Sequence, residues 1–207
     1  MRARFRLPSM RLDTRLFATL LLILNAPLLV GHVTTSLVFR PDLVLGGEWW
    51  RVVTHPFVHV SWYHLLLDAG AFLMLYEGLR EARWARRLWL VAAGGLGSLA
   101  FAWMFSSAID SSGLCGLSGV AHGLMAVSGL EMVMQGERGS WDRRIGWLAF
   151  LAVAGKSIWE AGTGLSFLGF LHFGLMGDPQ VVCHAGGVFG GAVAFLILRL
   201  TKEGIAS

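Results

Sequence analysis

Apolar and polar positions along this chain fall into long alternating blocks rather than the short periods of a soluble protein. Runs at about 16–38, 62–79, 88–107, 115–134, 145–161 and 181–198 are dominated by Leu, Val, Ala, Phe and Gly. Between them lie brief stretches carrying Arg, Asp and Pro. About 20 apolar residues in a helix cross the hydrocarbon of a bilayer. The pattern therefore predicts an all-α polytopic membrane protein with six spanning helices. A further run, Leu165–Met176, is short and broken by Gly169 and Gly174, with Gly177 just beyond it. It is expected to be a loop between the fifth and sixth spans that dips into the bilayer edge or caps a water-containing cavity.

Charge tests the count. With both termini cytoplasmic, the inside segments hold Arg2, Arg4, Arg6, Arg11 and Arg15, then Arg80, Arg83, Arg86 and Arg87, then Arg138, Arg143 and Arg144, and finally Arg199 and Lys202. Only Arg40, Arg51 and Lys156 of the 17 basic residues fall elsewhere. That asymmetry is the positive-inside pattern for six spans. The organisation read from it is a basic cytoplasmic segment 1–15, a membrane domain 16–200 and a cytoplasmic tail 201–207. The first apolar run is too long for a signal peptide and lacks a clear small-x-small cleavage site, so it is read as a retained span.

Composition agrees, with 55% hydrophobic and 14% charged residues. The net charge of +4 reports orientation and not nucleic-acid binding, because the basic residues flank the apolar runs. Two cysteines, Cys115 and Cys183, cannot form a disulfide framework. The segment from Gly46 to His59 carries Trp49 and Trp50, and Trp62 follows; it reads as an amphipathic loop at the outer interface.

Polar residues inside the runs carry the chemistry. Gly116-Leu117-Ser118-Gly119-Val120-Ala121-His122-Gly123 places a serine between small residues at the start of the fourth span. A hydroxyl there is suited to nucleophilic attack, since a helix N-terminus favours an oxyanion nearby. The same glycines would equally serve close helix packing in lipid. The sixth span opens Cys183-His184-Ala185-Gly186-Gly187, with Gly190 and Gly191 behind. In this topology His184 and Ser118 each lie one turn below the outer surface, so two glycine-lined helices can bring serine and imidazole together. In the second span His64 and Asp68 share a face. Asp68 either pairs with a histidine or serves the chemistry. Glu131, about 20 Å along from Ser118 at 1.5 Å per residue, reads as a surface or structural acid. Lys156 and Glu160, at i and i+4 in the outer half of the fifth span, form either a structural ion pair or a substrate contact. His122, one turn beyond Ser118, is expected to position the His184 ring by stacking or hydrogen bonding. His55, His59 and His64 suggest a metal site, but the chain holds no H-E-x-x-H, and hydrogen bonding to loop backbone is the simpler reading.

Taken in order, Trp50-Arg51, His59 followed by His64-x-x-x-Asp68, Gly116-x-Ser118-Gly119, and His184-x-x-Gly187-x-x-x-Gly191 resemble the rhomboid intramembrane serine proteases. The finer pattern of His122 with Lys156-x-x-Trp159-Glu160 is similar to the rhombosortase branch. The resemblance implies a six-helix rhomboid-like bundle and a Ser118–His184 dyad without an essential carboxylate. It places His64, Asp68, Gly116, His122, Lys156 and Glu160 at the oxyanion or substrate-binding positions. It implies no cofactor and no metal. Substrates would be membrane-anchored proteins, in this branch with a C-terminal Gly-Gly motif, an apolar helix and a basic tail, cut at the outer side of a bacterial inner membrane. Asp68 stands where rhomboids commonly have an oxyanion-binding asparagine. It would therefore have to be protonated, or orient a histidine and leave stabilisation to His64 and the Ser118 backbone N–H. The competing functions are a catalytically inactive relative that binds membrane helices, and a metal-dependent membrane enzyme built on His55, His59 and His64.

Overall fold

The computed structural model describes residues 10–206 except 168, 172 and 179, with the side chains of 171 and 202–206 left aside. Arg2, Arg4 and Arg6, and the side chain of Lys202, thus lie outside the described residues. The described chain is helical: α1 Leu12–Asn25, α2 Pro41–Leu45, α3 Arg51–Thr54, α4 Trp62–Gly78, α5 Trp84–Phe105, α6 Ile109–Ser112, α7 Ser118–Gln135, α8 Trp141–Thr163 and α9 Val182–Ala206. An isolated antiparallel bridge joins Phe39 to Leu114.

Among the described residues, three segments are long and apolar enough to cross a membrane, Leu12–Val30, Trp84–Phe105 and Val182–Thr201; the pair Arg51–Phe57 and Trp62–Gly78, bent by 96°, makes a fourth if taken together. The protein is thus an all-helical membrane protein. Helices α7 and α8 match the expected fourth and fifth runs in position. They are diluted by glycine and by His122, Glu131, Lys156 and Glu160, so apolarity alone does not mark them as spans.

The first run differs most from expectation. Its helix does not extend over 16–38: it begins at Leu12, tightens into a 3-10 turn at Ala26–Val30 and stops at Gly31, whose φ is +77°. Pro27 removes a backbone donor and Gly31 supplies the left-handed turn, so residues beyond it fold back over the bundle. The segment 46–59 is likewise not an open loop. Arg51 is buried, bonded to Glu48 at 2.6 Å and donating to the carbonyls of Thr35 and Val38.

One end of the bundle is tied by charge. Arg87 is buried against the face of the Tyr76 ring and lies 3.3 Å from Asp13, while Thr14 donates to Glu77. Glu131 is no surface acid: it is 3% exposed and accepts the N–H groups of Arg80 and Glu81 at the α4–α5 turn. Between this end and the other, Phe72, Leu90, Leu124, Val127 and Phe195 form an apolar middle.

Candidate active site

At the opposite end the chain approaches α7 through Gly116, whose φ is +98°; a Cβ there would lie 2.7 Å from both Asp68 Oδ2 and His64 Nε2. Only glycine makes this turn without strain or collision. Ser118 follows as the first residue of α7. Its backbone N–H has no acceptor within its own helix and donates instead to Asp68 Oδ2 at 3.0 Å. A carboxylate from α4 thus caps the positive end of α7.

Glycines set how closely α9 approaches. A Cβ on Gly187 would overlap the Gly119 carbonyl, and one on Gly123 would lie 2.6 Å from the Gly187 carbonyl. The two backbones therefore touch, with nothing between them but hydrogen. His184, one turn before Gly187, is carried to the level of Ser118, and its Nε2 lies 3.1 Å from Ser118 Oγ. The His122 ring stacks on the His184 ring, centroids 3.9 Å apart and planes within 10°.

Hydrogen-bond chemistry fixes where the protons sit. His122 Nδ1 lies 2.7 Å from the Ser118 carbonyl, which can only accept, so Nδ1 carries the proton. The His122 Nε2 lone pair then accepts from the Lys156 ammonium at 2.9 Å. His184 Nδ1 lies 2.7 Å from Glu160 Oε2; with that proton donated to the carboxylate, Nε2 presents its lone pair to Ser118 Oγ. Lys156 Nζ also donates to both oxygens of Glu160, at 2.8 and 2.7 Å. The hydroxyl faces a cavity of about 370 Å³, whose walls include His64, Asp68, Ser118, His122, Lys156 and His184.

Residues 46–201 match the Rhomboid domain. The chain belongs to that family. Members are generally intramembrane serine proteases acting on membrane proteins. Uncharacterized proteins of Mycobacterium bovis and Mycobacterium tuberculosis are 31% identical to it over 163 residues, which cover 72% of this chain and 57% of theirs. The chain thus spans little more than half the length of these relatives.

Within this rhomboid domain the expected site residues gather at this end of the bundle, though two of them do not line the cavity. Gly116 donates its N–H to the His55 carbonyl, and it does not line the cavity. Glu160 is fully buried behind His184 and does not line the cavity either. Lys156 and Glu160 are also more than an isolated ion pair, since each binds a histidine. The link from Glu160 to His184 is what sequence reasoning missed. The one available signal was a costly acid in an apolar helix, placed at the same end of the bundle as the histidine. Asp68 Oδ2 lies 3.2 Å from His64 Nε2 and 3.6 Å from His59 Nε2. It also holds the Ser118 N–H that was expected to be free for an oxyanion.

His55, His59 and His64 do not converge on a metal. His55 Nδ1 is turned to the carbonyls of Arg51 and Val52, while His59 and His64 meet edge-to-face beside Asp68. Among the described residues, the group with metal-ligand spacing is His122, Glu160 and His184. Two of the three, His122 and Glu160, already bind the Lys156 ammonium, whose fixed charge opposes a second cation there. Part of Leu165–Met176 borders the cavity. Ser166, Phe167 and Met176 line it, the Phe167 N–H donates to Glu160 Oε1, and the Phe173 N–H donates to the Tyr63 hydroxyl. Leu168 and His172 of that loop lie outside the described residues.

Proposed function

We propose that the protein is an intramembrane serine endopeptidase in which Ser118 is the nucleophile and His184 the general base. The observation that carries this reading is the 3.1 Å approach of His184 Nε2 to Ser118 Oγ at the wall of the cavity. Ser118 Oγ attacks a peptide carbonyl while its proton passes to His184 Nε2. The tetrahedral intermediate collapses to an acyl-enzyme as that proton moves to the leaving amine. Water, activated by the same imidazole, then releases the acid. The developing oxyanion competes with Asp68 for the Ser118 N–H, so the cap on α7 is loosened as the charge forms.

The chain crosses the membrane six times with both termini cytoplasmic, as residues 16–200 with short cytoplasmic ends. This orientation fits the positive-inside pattern and sets the cavity at the outer side of a bacterial inner membrane. The substrate is a membrane-anchored protein, in the manner of the rhombosortase branch one with a C-terminal Gly-Gly anchor segment. Supporting that branch, His122, Lys156 and Glu160 form one connected group around the base. The test is labelling of the purified protein by a serine-reactive fluorophosphonate. Wild type should label and both S118A and H184A should not. Normal labelling of either variant overturns the reading. Mass spectrometry of anchored proteins released only in the presence of the active enzyme identifies the substrate, and absence of a Gly-Gly motif at the released ends rejects the branch.

A further inference from the structure

Resting on the reading of Ser118 and His184 above, we propose that Glu160 is the positioning carboxylate of a Ser118–His184–Glu160 relay, with Lys156 as its built-in counter-ion. A carboxylate buried to 0% exposure in a membrane helix needs a reason. A structural ion pair would be complete with Lys156 alone. Here each Glu160 oxygen has a further partner. Oε2 receives His184 Nδ1 at 2.7 Å and Oε1 receives the Phe167 N–H at 2.9 Å, while Lys156 reaches both. The ammonium spends its remaining proton on His122, whose ring lies flat on His184. The base is therefore held at its edge by Glu160 and over its face by His122, and Lys156 ties the two supports together.

The consequence is chemical as well as geometric. Donation of Nδ1–H to Glu160 selects the tautomer with a lone pair on Nε2, the only one that can take the Ser118 proton. When that proton arrives, the ring becomes an imidazolium facing a carboxylate. Glu160 neither gains nor loses a proton in the cycle: the hydroxyl proton goes to Nε2 and then to the leaving group. With its own counter-charge from Lys156, Glu160 stays an acceptor throughout, and the two opposite charges offset the cost of burying either alone. This differs from a dyad, in which nothing holds the tautomer.

The measurement is the kinetics of fluorophosphonate labelling in detergent, resolved into a binding constant and a maximal rate of Ser118 phosphonylation. That reaction forms a P–O bond, expels fluoride and sends the hydroxyl proton to His184, so it reads the base directly. In E160Q the side-chain amide can donate to Nδ1 and impose the wrong tautomer. In the folded protein the maximal rate should fall about 10²- to 10⁴-fold, with the binding constant near that of wild type. E160D keeps the charge but withdraws it by one methylene, and should retain more rate than E160Q. A structural hydrogen-bonding role predicts the reverse order, since Gln is the closer isostere. Labelling of E160Q within about threefold of wild type, or E160Q outperforming E160D, overturns the relay. If E160Q does not fold, a maximal rate in E160D equal to that of wild type does the same. Loss of labelling in S118A and H184A is required in either case, so their continued labelling would instead overturn the serine-protease reading.

Discussion

The two ends of the bundle bury similar charged groups and use them differently. At one end, Glu131 caps the backbone of Arg80 and Glu81, and Arg87 is enclosed by Asp13, Thr14 and Tyr76. Those contacts clamp helices together beside a cavity of only about 60 Å³. At the other end, Lys156, Glu160, His122 and His184 run in a chain that finishes on the hydroxyl of Ser118, open to about 370 Å³. The lesson is that burial of charge does not mark a site. A chain of hydrogen bonds that ends on a nucleophile beside open space does.

Substitutions can break this contrast, and the largest effect should come from the glycine packing that sets the approach of α9 to α7. Gly187→Val drives a side chain into the Gly119 backbone. It should destabilise the fold by about 3 kcal/mol or more and abolish labelling, read as a lowered thermal midpoint with no phosphonylated product. Next is the charge swap Lys156→Glu with Glu160→Lys. An ion pair would survive it, but an ammonium at 160 cannot accept from His184 Nδ1. The swapped protein should stay at least about 100-fold below wild type, and recovery to near wild type would reduce Lys156 and Glu160 to the clamping role seen at the other end.

His122 should give an intermediate and graded effect. His122→Phe keeps the stacked face and loses both hydrogen bonds, for a drop of about threefold to tenfold. His122→Ala loses the face as well and should fall about 10- to 100-fold, the scale of one or two lost contacts. Equal and complete loss in both would give His122 a part in proton transfer. Glu131→Gln, the counterpart at the clamped end, should leave the labelling rate of the folded protein unchanged while lowering stability by about 1–3 kcal/mol. Excess EDTA should have the smallest effect, leaving the labelling rate as it was, because the Lys156 ammonium sits among the ligand-type atoms. A drop restored by zinc would break that account.

How much of this was legible beforehand differs by element. Helices α4, α5, α7, α8 and α9 coincide closely with apolar runs because hydropathy and helix-forming residues are local properties. The end of α1 was misplaced because Val33, Leu37 and Val38 were counted into the run although Gly31 has already turned the chain. The approach of Ser118 to His184 was legible in outline. Glycine spacing fixes which faces of α7 and α9 can touch, and the expected six-span topology set Ser118 and His184 at one level. The stacking of His122 followed from its i+4 relation to Ser118.

Sequence alone thus determined the family, the membrane-helical class, the serine and histidine each near the start of a glycine-lined helix, and the Lys156–Glu160 pair one turn apart on α8. These are matters of composition, order and helical period, each carried by residues near one another in the chain. Tertiary structure decided what that pair faces. The rotation of α8 about its own axis points Glu160 at His184, across to another helix and 24 residues away. It likewise decided that Asp68, 50 residues before Ser118, caps the start of α7. No local pattern encodes such a rotation, because it is set by the packing of α8 against α7 and α9, with Gly146 of α8 against the Gly129 backbone of α7.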